Sequence, residues 1–218
     1  MNKDVAATVR NAGAGGAARE LDFYFDFISP FGFFASLRVD DLAAKYGLKA
    51  NWHSMLIGVS VVKVMGMKPL LEMPLKGPYI ALDARRYARR HGIVLARDPG
   101  ATPVDPRPAG RAFNWLLEHR AESARPFAQR MFAAYWLQGR DISNQAVVNE
   151  VARDTGLNEA EVLEGISSEE AGRLLRANVE SSLARAVFGS PFFIVGDEPF
   201  FGVEKMELLE EWLAQGGW

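Results

Sequence analysis

The start of the sequence contains the pattern that most restricts the fold, a strand, a helix and a second strand in succession. Residues 22–28 are mostly aromatic and predict a strand that ends at Ser29. Residues 31–46 predict a helix, because Gly47 follows at a position typical of a helix C-cap. Residues 48–53 alternate between apolar and polar side chains, which predicts the second strand. With the two strands parallel, this segment is a βαβ unit.

The end of the sequence predicts a hairpin followed by a helix. Residues 191–195 are an apolar strand, and the Gly-Asp-Glu-Pro sequence of residues 196–199 is typical of a turn. Phe200 begins the returning strand. Residues 204–214 place their apolar side chains on one side of a helix. The order at this end of the chain is therefore ββα.

The middle of the chain predicts helices separated by loops. Seven of the 11 prolines lie between Pro69 and Pro108, and they leave room for one helix over residues 79–91. Beyond them, apolar side chains recur at helical spacing, and Pro126 is predicted to be the first residue of a helix. Asn158 and Glu161 have the spacing of a capping box. A long helix is predicted over residues 168–187, where apolar side chains repeat every four residues.

Taken together, these elements predict an α/β chain with a thioredoxin-like fold and an inserted all-helical domain. The four strands are expected to join in one sheet built from residues 21–54 and 188–214, with no strand over residues 110–185. The expected division is a flexible tail over residues 1–20, a discontinuous thioredoxin-like domain over residues 21–56 and 188–218, and a helical insertion over residues 57–187. The tail is expected to be flexible because its Gly- and Ala-rich sequence has little to bury.

The composition excludes several functions. With 25 Lys and Arg against 27 Asp and Glu, the net charge is −2, which argues against a nucleic-acid partner. Because the chain has no cysteine, it cannot form a mixed disulfide, a zinc–thiolate site or an iron–sulfur cluster. The three histidines lack the spacing of metal ligands, so no metal is expected. The apolar stretches are too short to span a membrane, and a cytoplasmic location is expected by default.

Three segments make the expected architecture specific. Residues 23–31 (FYFDFISPF), 188–193 (FGSPFF) and 201–209 (FGVEKMELL) resemble the family of 2-hydroxychromene-2-carboxylate isomerases and kappa-class glutathione transferases. The resemblance covers roughly residues 21–214 and includes Pro-Leu-Lys-Gly at residues 74–77. Members of this family are thioredoxin-fold relatives of the bacterial disulfide oxidoreductases, and they use glutathione.

The resemblance implies that Ser29 is the active-site serine, at the position of the first catalytic cysteine of a thioredoxin. A hydroxyl there could donate a hydrogen bond to the glutathione thiolate and lower the pKa of the thiol. The alternative is that Ser29 is only a helix N-cap, since Ser followed by Pro commonly begins a helix. The resemblance also implies a cis peptide bond before Pro191, with the backbone of Ser190 binding the cysteinyl part of glutathione. The alternative is a trans proline that opens an edge strand.

Further residues follow from the resemblance. Val203 and Glu204 stand where the family holds the γ-glutamyl group of glutathione, although Val203 lacks a polar side chain and Glu204 is longer than the usual Asp. Lys76 could pair with a glutathione carboxylate, or it could simply be solvated. Met67 stands where many members have Asn, and Phe31 where kappa-class members often have Tyr.

The resemblance implies an enzyme, and the favoured function is a glutathione-dependent isomerase acting on an aromatic or fused-ring pyruvate-like metabolite of aromatic catabolism. Phe31 and Phe33 are the expected contacts to this small-molecule substrate, although a core position is the alternative. Asp26 is a candidate for a buried acid near the site. The alternative functions are a kappa-like glutathione transferase or peroxidase, or a non-catalytic protein that binds a hydrophobic ligand. A homodimer is expected, because relatives in this family are commonly dimers.

Overall fold

The computed structural model describes residues 20–218, and at its centre lies a four-stranded mixed sheet. The strands are β1 (Leu21–Phe25), β2 (Ala50–Ser54), β3 (Phe192–Val195) and β4 (Glu198–Phe201), in the order β2-β1-β3-β4. β1 runs parallel to β2, with Leu21 opposite Ala50, and antiparallel to β3, with Leu21 opposite Val195. The prediction that both ends of the chain share one sheet is confirmed. Apart from Glu20, the expected tail over residues 1–20 lies outside the described residues.

The connection from β1 to β2 contains two short helices where the sequence predicted one. These are α1 (Pro30–Ser36) and α2 (Val39–Lys45). The hydroxyl of Ser36 donates to the carbonyl oxygen of Phe33 at 2.6 Å, the kind of side-chain bond that bends or ends a helix. The break also lets each helix bury its own apolar side chains, Phe33 and Phe34 in α1 and Val39 in α2.

The segment between β2 and β3 is helical throughout its regular structure. It contains α3 (Lys76–Arg90), α4 (Arg107–His119), α5 (Ala121–Phe132), α6 (Gln145–Arg153) and α7 (Glu169–Ala184), together with π-helical turns at Gly58–Val64, Ala133–Leu137 and Glu161–Ile166 and a 3-10 turn at Leu70–Glu72. All of residues 110–185 are described, and they contain no strand, as predicted. The predicted capping box forms, since the amide of Glu161 donates to Asn158 Oδ1 at 3.0 Å and the amide of Asn158 donates to Glu161 Oε2 at 2.9 Å.

The predicted start of one helix in this segment is wrong. Pro126 lies inside α5, which begins five residues earlier at Ala121. A proline there removes the single backbone bond that its amide would have made to the carbonyl oxygen of Glu122. The burial of Phe127 and Met131, both 0% exposed, compensates for that loss.

The last helix is also divided at its start. A 3-10 turn at Val203–Lys205 precedes α8 (Met206–Gln215), so Glu204 lies in the turn rather than at the first residue of the helix. The helical segment packs on the sheet through aromatic side chains. The ring of Phe25 in β1 lies 5.2 Å from that of Phe113 in α4 and 5.4 Å from that of Phe132 in α5. This contact places the helices beside the end of β1, where the candidate site lies.

Candidate active site

The candidate site is built on a tight turn at the end of β1, residues 26–29, called here the Ser29 turn. β1 ends at Phe25, three residues before the sequence predicted, because the carbonyl oxygen of Asp26 accepts the amide of Ser29 at 3.0 Å. Trp136 fixes the turn from the helical segment, since its Nε1 donates to the carbonyl oxygen of Phe27 at 3.0 Å. The sequence carried no signal for this bond, because it joins residues 109 positions apart.

Ser29 is buried, 5% exposed, and caps α1. Its Oγ accepts the amide of Gly32 at 3.0 Å, and Pro30 is the first residue of the helix. The N-cap role weighed from the sequence is therefore present in the structure. It leaves the hydroxyl proton free to be donated elsewhere.

The Ser190–Pro191 peptide bond is cis, as predicted, and Ser190 lies against Ser29. The hydroxyl of Ser29 donates to the carbonyl oxygen of Ser190 at 2.9 Å. The hydroxyl oxygen of Ser190 accepts the amide of Asp26 at 3.0 Å. Two hydrogen bonds therefore join the Ser29 turn to a segment more than 160 residues away.

Gly32 allows this close approach. A Cβ atom on Gly32 would lie 2.5 Å from Ser190 Oγ and 3.2 Å from Ser29 Cβ. Contacts of 2.5 Å do not occur between such atoms in folded proteins, so only glycine fits here without displacing Ser190.

Asp26 is the buried acid of the site. Its side chain is 1% exposed, and its two carboxylate oxygens accept the amides of Ile28 at 3.2 Å and Ile57 at 2.8 Å. Burial raises the pKa of Asp26 to about 7, and the two amides only partly offset that effect. No basic side chain in residues 20–218 forms a salt bridge with it. The sequence offered Asp26 as a candidate, but only the structure reveals what it bonds.

The 3-10 turn that contains Val203 and Glu204 lies beside the cis-proline segment. The amide of Gly202 donates to the carbonyl oxygen of Pro191 at 3.0 Å, and the turn packs against α1. Val203 is 2% exposed, so its side chain belongs to the core and only its backbone can contact a ligand. The exposed Glu204 folds its carboxylate back over Gly202, whose missing side chain leaves the space for it.

The other predicted residues lie in different surroundings. Lys76 is exposed and begins α3, so it is a helical residue rather than part of a loop. Phe31 is half-buried, and Met67 is 37% exposed. Phe33 is 2% exposed, and its ring lies 5.9 Å from that of Phe132. This is a core position, which leaves Phe31 as the better placed of the two predicted substrate contacts.

A second polar cluster lies on the face of β1 opposite to Phe23 and Phe25, because side chains alternate along a strand. Asp22 accepts hydrogen bonds from His53, whose Nε2 lies 2.9 Å away, and from Arg185. Burial alone would raise the pKa of Asp22, but these two partners outweigh it and lower the pKa to about 2. Arg185 also donates to the hydroxyl of Tyr24 at 2.9 Å. We interpret this cluster as structural, since each of its groups has a partner.

Within residues 20–218, no three His, Asp or Glu side chains converge as metal ligands. No helix in that same range combines the length and the apolar character that a bilayer crossing requires.

Comparison with known proteins decides the family. The DsbA-like thioredoxin domain matches residues 20–214, nearly all of the chain. The chain belongs to the DsbA-like thioredoxin family. The predicted thioredoxin-like fold with helices inserted between β2 and β3 is confirmed at the same time.

Relatives of this DsbA-like chain agree with the resemblance drawn from its motifs. It is 25% identical over 191 residues to 2-hydroxychromene-2-carboxylate isomerase of Pseudomonas putida, which covers 87% of this chain and 92% of the relative. It is 24% identical over 206 residues to glutathione S-transferase kappa 1 of Caenorhabditis elegans, covering 89% and 91%. A solved 2-hydroxychromene-2-carboxylate isomerase superposes with a TM-score of 0.76 at 24% identity, covering 90% of this chain and 95% of that one. The expectation of an enzyme of the isomerase or transferase type is confirmed by these relatives.

Proposed function

We propose that this chain is a glutathione-dependent isomerase of the 2-hydroxychromene-2-carboxylate isomerase type. Its substrate would be an aromatic or fused-ring pyruvate-like compound. The observation that carries the proposal is the pair formed by Ser29 and Ser190, with a serine in the position of a catalytic cysteine and its hydroxyl bonded to the peptide of a cis proline. The isomerase and transferase names of the relatives support the same reaction class.

The residues present fit glutathione at several of its groups. A buried hydroxyl, that of Ser29, is available for a thiol, and the carbonyl oxygen of Ser190 for a peptide amide. Glu204 is an exposed carboxylate that suits an ammonium group, and Lys76 is an exposed cation that suits a carboxylate. Val203 would contact glutathione through its backbone, and Pro191 would add an apolar contact. When bound, glutathione would supply a nucleophilic thiolate. It would be released unchanged at the end of the reaction.

The role proposed for Ser29 follows from its two hydrogen bonds. Its oxygen accepts the amide of Gly32, and its one proton is donated to the carbonyl oxygen of Ser190. An anionic sulfur is a stronger acceptor than a neutral carbonyl oxygen. Ser29 would therefore turn its proton towards a bound thiolate, and the Ser190 carbonyl would become free to accept an amide of the ligand.

A second candidate function is a kappa-like glutathione transferase or peroxidase, which the kappa-class relative favours. The two reactions differ in stoichiometry. An isomerase leaves the concentration of free thiol constant while product accumulates, whereas a transferase or peroxidase consumes thiol in proportion to product. Assay of an aromatic pyruvate-type substrate with simultaneous thiol titration separates them.

The experiment that tests the proposal is calorimetric titration of the protein with reduced glutathione. We expect saturable binding that is weakened in Glu204→Ala, because the variant lacks the carboxylate assigned to the ammonium group. Absence of binding to the unaltered protein would contradict the proposal. That result would favour the alternative of a non-catalytic protein that binds a hydrophobic ligand, for which the partly exposed side chains of Phe31 and Met67 would be suited.

Three further features are proposed on the resemblance and the fold. The chain would divide into a thioredoxin-like domain over residues 21–56 and 188–218 and a helical domain over residues 57–187. It would form a homodimer. It would act in the cytoplasm, where reduced glutathione is abundant.

A further inference from the structure

The carboxylate of Asp26 joins two parts of the chain that meet at the candidate site. Its Oδ1 accepts the amide of Ile28, within the Ser29 turn, at 3.2 Å. Its Oδ2 accepts the amide of Ile57, just after β2, at 2.8 Å. The backbone amide of Asp26 donates to Ser190 Oγ at 3.0 Å, so the same residue also contacts the cis-proline segment. Asp26 thus bonds to three separate stretches of backbone or side chain around Ser29.

The segment that follows Ile57 is held together by hydrogen bonds within itself. The amide of Met65 donates to the carbonyl oxygen of Ser60 at 3.0 Å, and the amide of Met67 donates to that of Val61 at 3.0 Å. The Ser60 hydroxyl donates to the carbonyl oxygen of Ile57 at 3.4 Å. We call residues 57–67 the post-β2 segment. Asp26 is the side chain that ties its beginning to the Ser29 turn.

We propose that Asp26 is a positioning residue for the Ser29 site, holding the post-β2 segment and the Ser29 turn together so that glutathione can bind between them. This inference rests on the proposed function and extends it, because it assigns a role to Asp26, which the sequence offered only as a candidate buried acid. Asp26 acts through the backbone of Ile57 and Ile28 rather than by contact with the ligand.

The protonation state of Asp26 decides how well it can hold the post-β2 segment against the Ser29 turn. An ionised carboxylate offers two acceptor oxygens, one for each amide, whereas a neutral carboxylic acid turns one of its oxygens into a hydroxyl donor. Protonation therefore weakens one of the two bonds and loosens the connection. Burial raises the pKa of Asp26 to about 7, so the change occurs near neutral pH.

The charged groups that face Asp26 come from the helical segment. Asp105, in the loop before α4, raises the pKa of Asp26 further, although Asp105 is itself paired with Arg107 at 2.6 Å. Burial raises the pKa of Tyr135, and the charge of Asp26 adds to that effect, while Arg97 lies over the Tyr135 ring at 4.5 Å. The Ser29 turn, the cis-proline segment and the post-β2 segment contact Asp26 through amides and a hydroxyl. These contacts supply partial charges but no titrating partner.

The first test needs no ligand and uses the unaltered protein. In two-dimensional amide NMR spectra recorded against pH, the signals of Ile28 and Ile57 should shift together with one midpoint near 7. Asp26→Asn should remove both titrations. Asp22→Asn, a change of the same kind in β1 at a carboxylate that bonds to His53 and Arg185 instead, should leave them intact. Independent midpoints, or no titration at Ile57, would overturn the proposed connection.

The second test measures binding with S-methylglutathione, which has no thiol to titrate. Between about pH 8 and about pH 6, the dissociation constant of the unaltered protein should rise by about tenfold, the equivalent of one hydrogen bond. In Asp26→Asn the affinity should be weak at both pH values and change by less than twofold. In Asp22→Asn the dissociation constant should change with pH as it does in the unaltered protein.

The outcomes separate the two proposals. Amide titrations as expected, with no binding of either glutathione or its S-methyl derivative at any pH, would contradict the glutathione function and leave the connection through Asp26 standing as structure alone. Binding that is as tight and as pH-dependent in Asp26→Asn as in the unaltered protein would overturn the positioning role, while the glutathione function would be retained.

Discussion

The hydroxyl of Ser29 donates its proton to the carbonyl oxygen of Ser190, 2.9 Å away, while its oxygen accepts the amide of Gly32. The same hydroxyl is therefore a helix cap and a donor whose direction can change. A carbonyl oxygen and a ligand thiolate would compete for one proton, and the anion is the stronger acceptor. The cap and the proposed catalytic role are compatible, because they use different parts of the hydroxyl.

Ser29→Ala should lower the turnover number about ten- to hundredfold and leave glutathione affinity nearly unchanged. One hydrogen bond to a charged group contributes about 1.5–3 kcal/mol, which corresponds to that range of rates. Steady-state kinetics with varied glutathione separates the two effects. The ultraviolet absorbance of the bound thiolate should also titrate at higher pH in the variant.

The matched control for this variant is Ser168→Ala. Ser168 caps α7, and its Oγ accepts the amide of Ala171 at 3.1 Å, so it has the cap role of Ser29 without the second partner. Ser168→Ala should lose about 1 kcal/mol of unfolding free energy in denaturant titrations. Ser29→Ala should lose at least as much, because it also removes the bond to the Ser190 carbonyl oxygen. Equal turnover in Ser29→Ala and Ser168→Ala would reduce Ser29 to a helix cap.

Gly32→Ala should destabilise the protein by about 1–3 kcal/mol, because its Cβ would displace Ser190 Oγ and leave the amide of Asp26 without its acceptor. In a Ser190→Ala background the same change should cost much less, since the displaced oxygen is already gone. A double-mutant cycle in denaturant measures this difference. Additive effects of the two changes would show that Ser190 is not what excludes a side chain at residue 32.

The raised pKa of Asp26 predicts how stability depends on pH. Its folded-state pKa of about 7 lies above the reference value of 3.8, so the folded state binds the extra proton. The contribution of this proton is fully present below about pH 4 and is lost as the pH rises through 7. The full contribution to the free energy of unfolding is on the order of 4 kcal/mol. Measured between about pH 4 and about pH 8, the fall in unfolding free energy with rising pH should be smaller in Asp26→Asn than in the unaltered protein. An equal fall in both proteins would contradict the assignment.

Asp22 predicts the opposite dependence on pH. Its pKa is lowered to about 2, so the stability it contributes is present above 3.8 and is lost as the pH falls towards 2. Asp22→Asn should cost about 1 kcal/mol at neutral pH, a modest value because solvent reaches Arg185, whose side chain is 38% exposed. Thermal unfolding at neutral and acidic pH measures this loss. A variant that is equally destabilised at both pH values would show that charge is not the cause.

Local patterns predicted most of the fold, and the errors have local causes. The capping box at Asn158 and Glu161 formed as predicted, because both partners lie within one helical turn. Pro126 was misplaced because a proline is tolerated inside a helix whose neighbouring side chains are buried, and burial cannot be counted from the sequence. The helix after Ser29 was predicted as one element, but α1 ends at Ser36, whose hydroxyl bonds to the carbonyl oxygen of Phe33, and α2 begins at Val39.

The sequence by itself determined the order of strands and helices, the family and the serine at which the site is centred, because periodicity and short motifs are local properties of a chain. Only the tertiary structure decided what surrounds that serine. The partners of the Ser29 turn come from Ile57, Trp136 and Ser190, and each of these bonds has a backbone group as its donor or its acceptor. Such groups are the same at every residue, so sequence pattern cannot show which of them meet. Asp26 gained its raised pKa in the same way, since burial in the folded chain removed it from water.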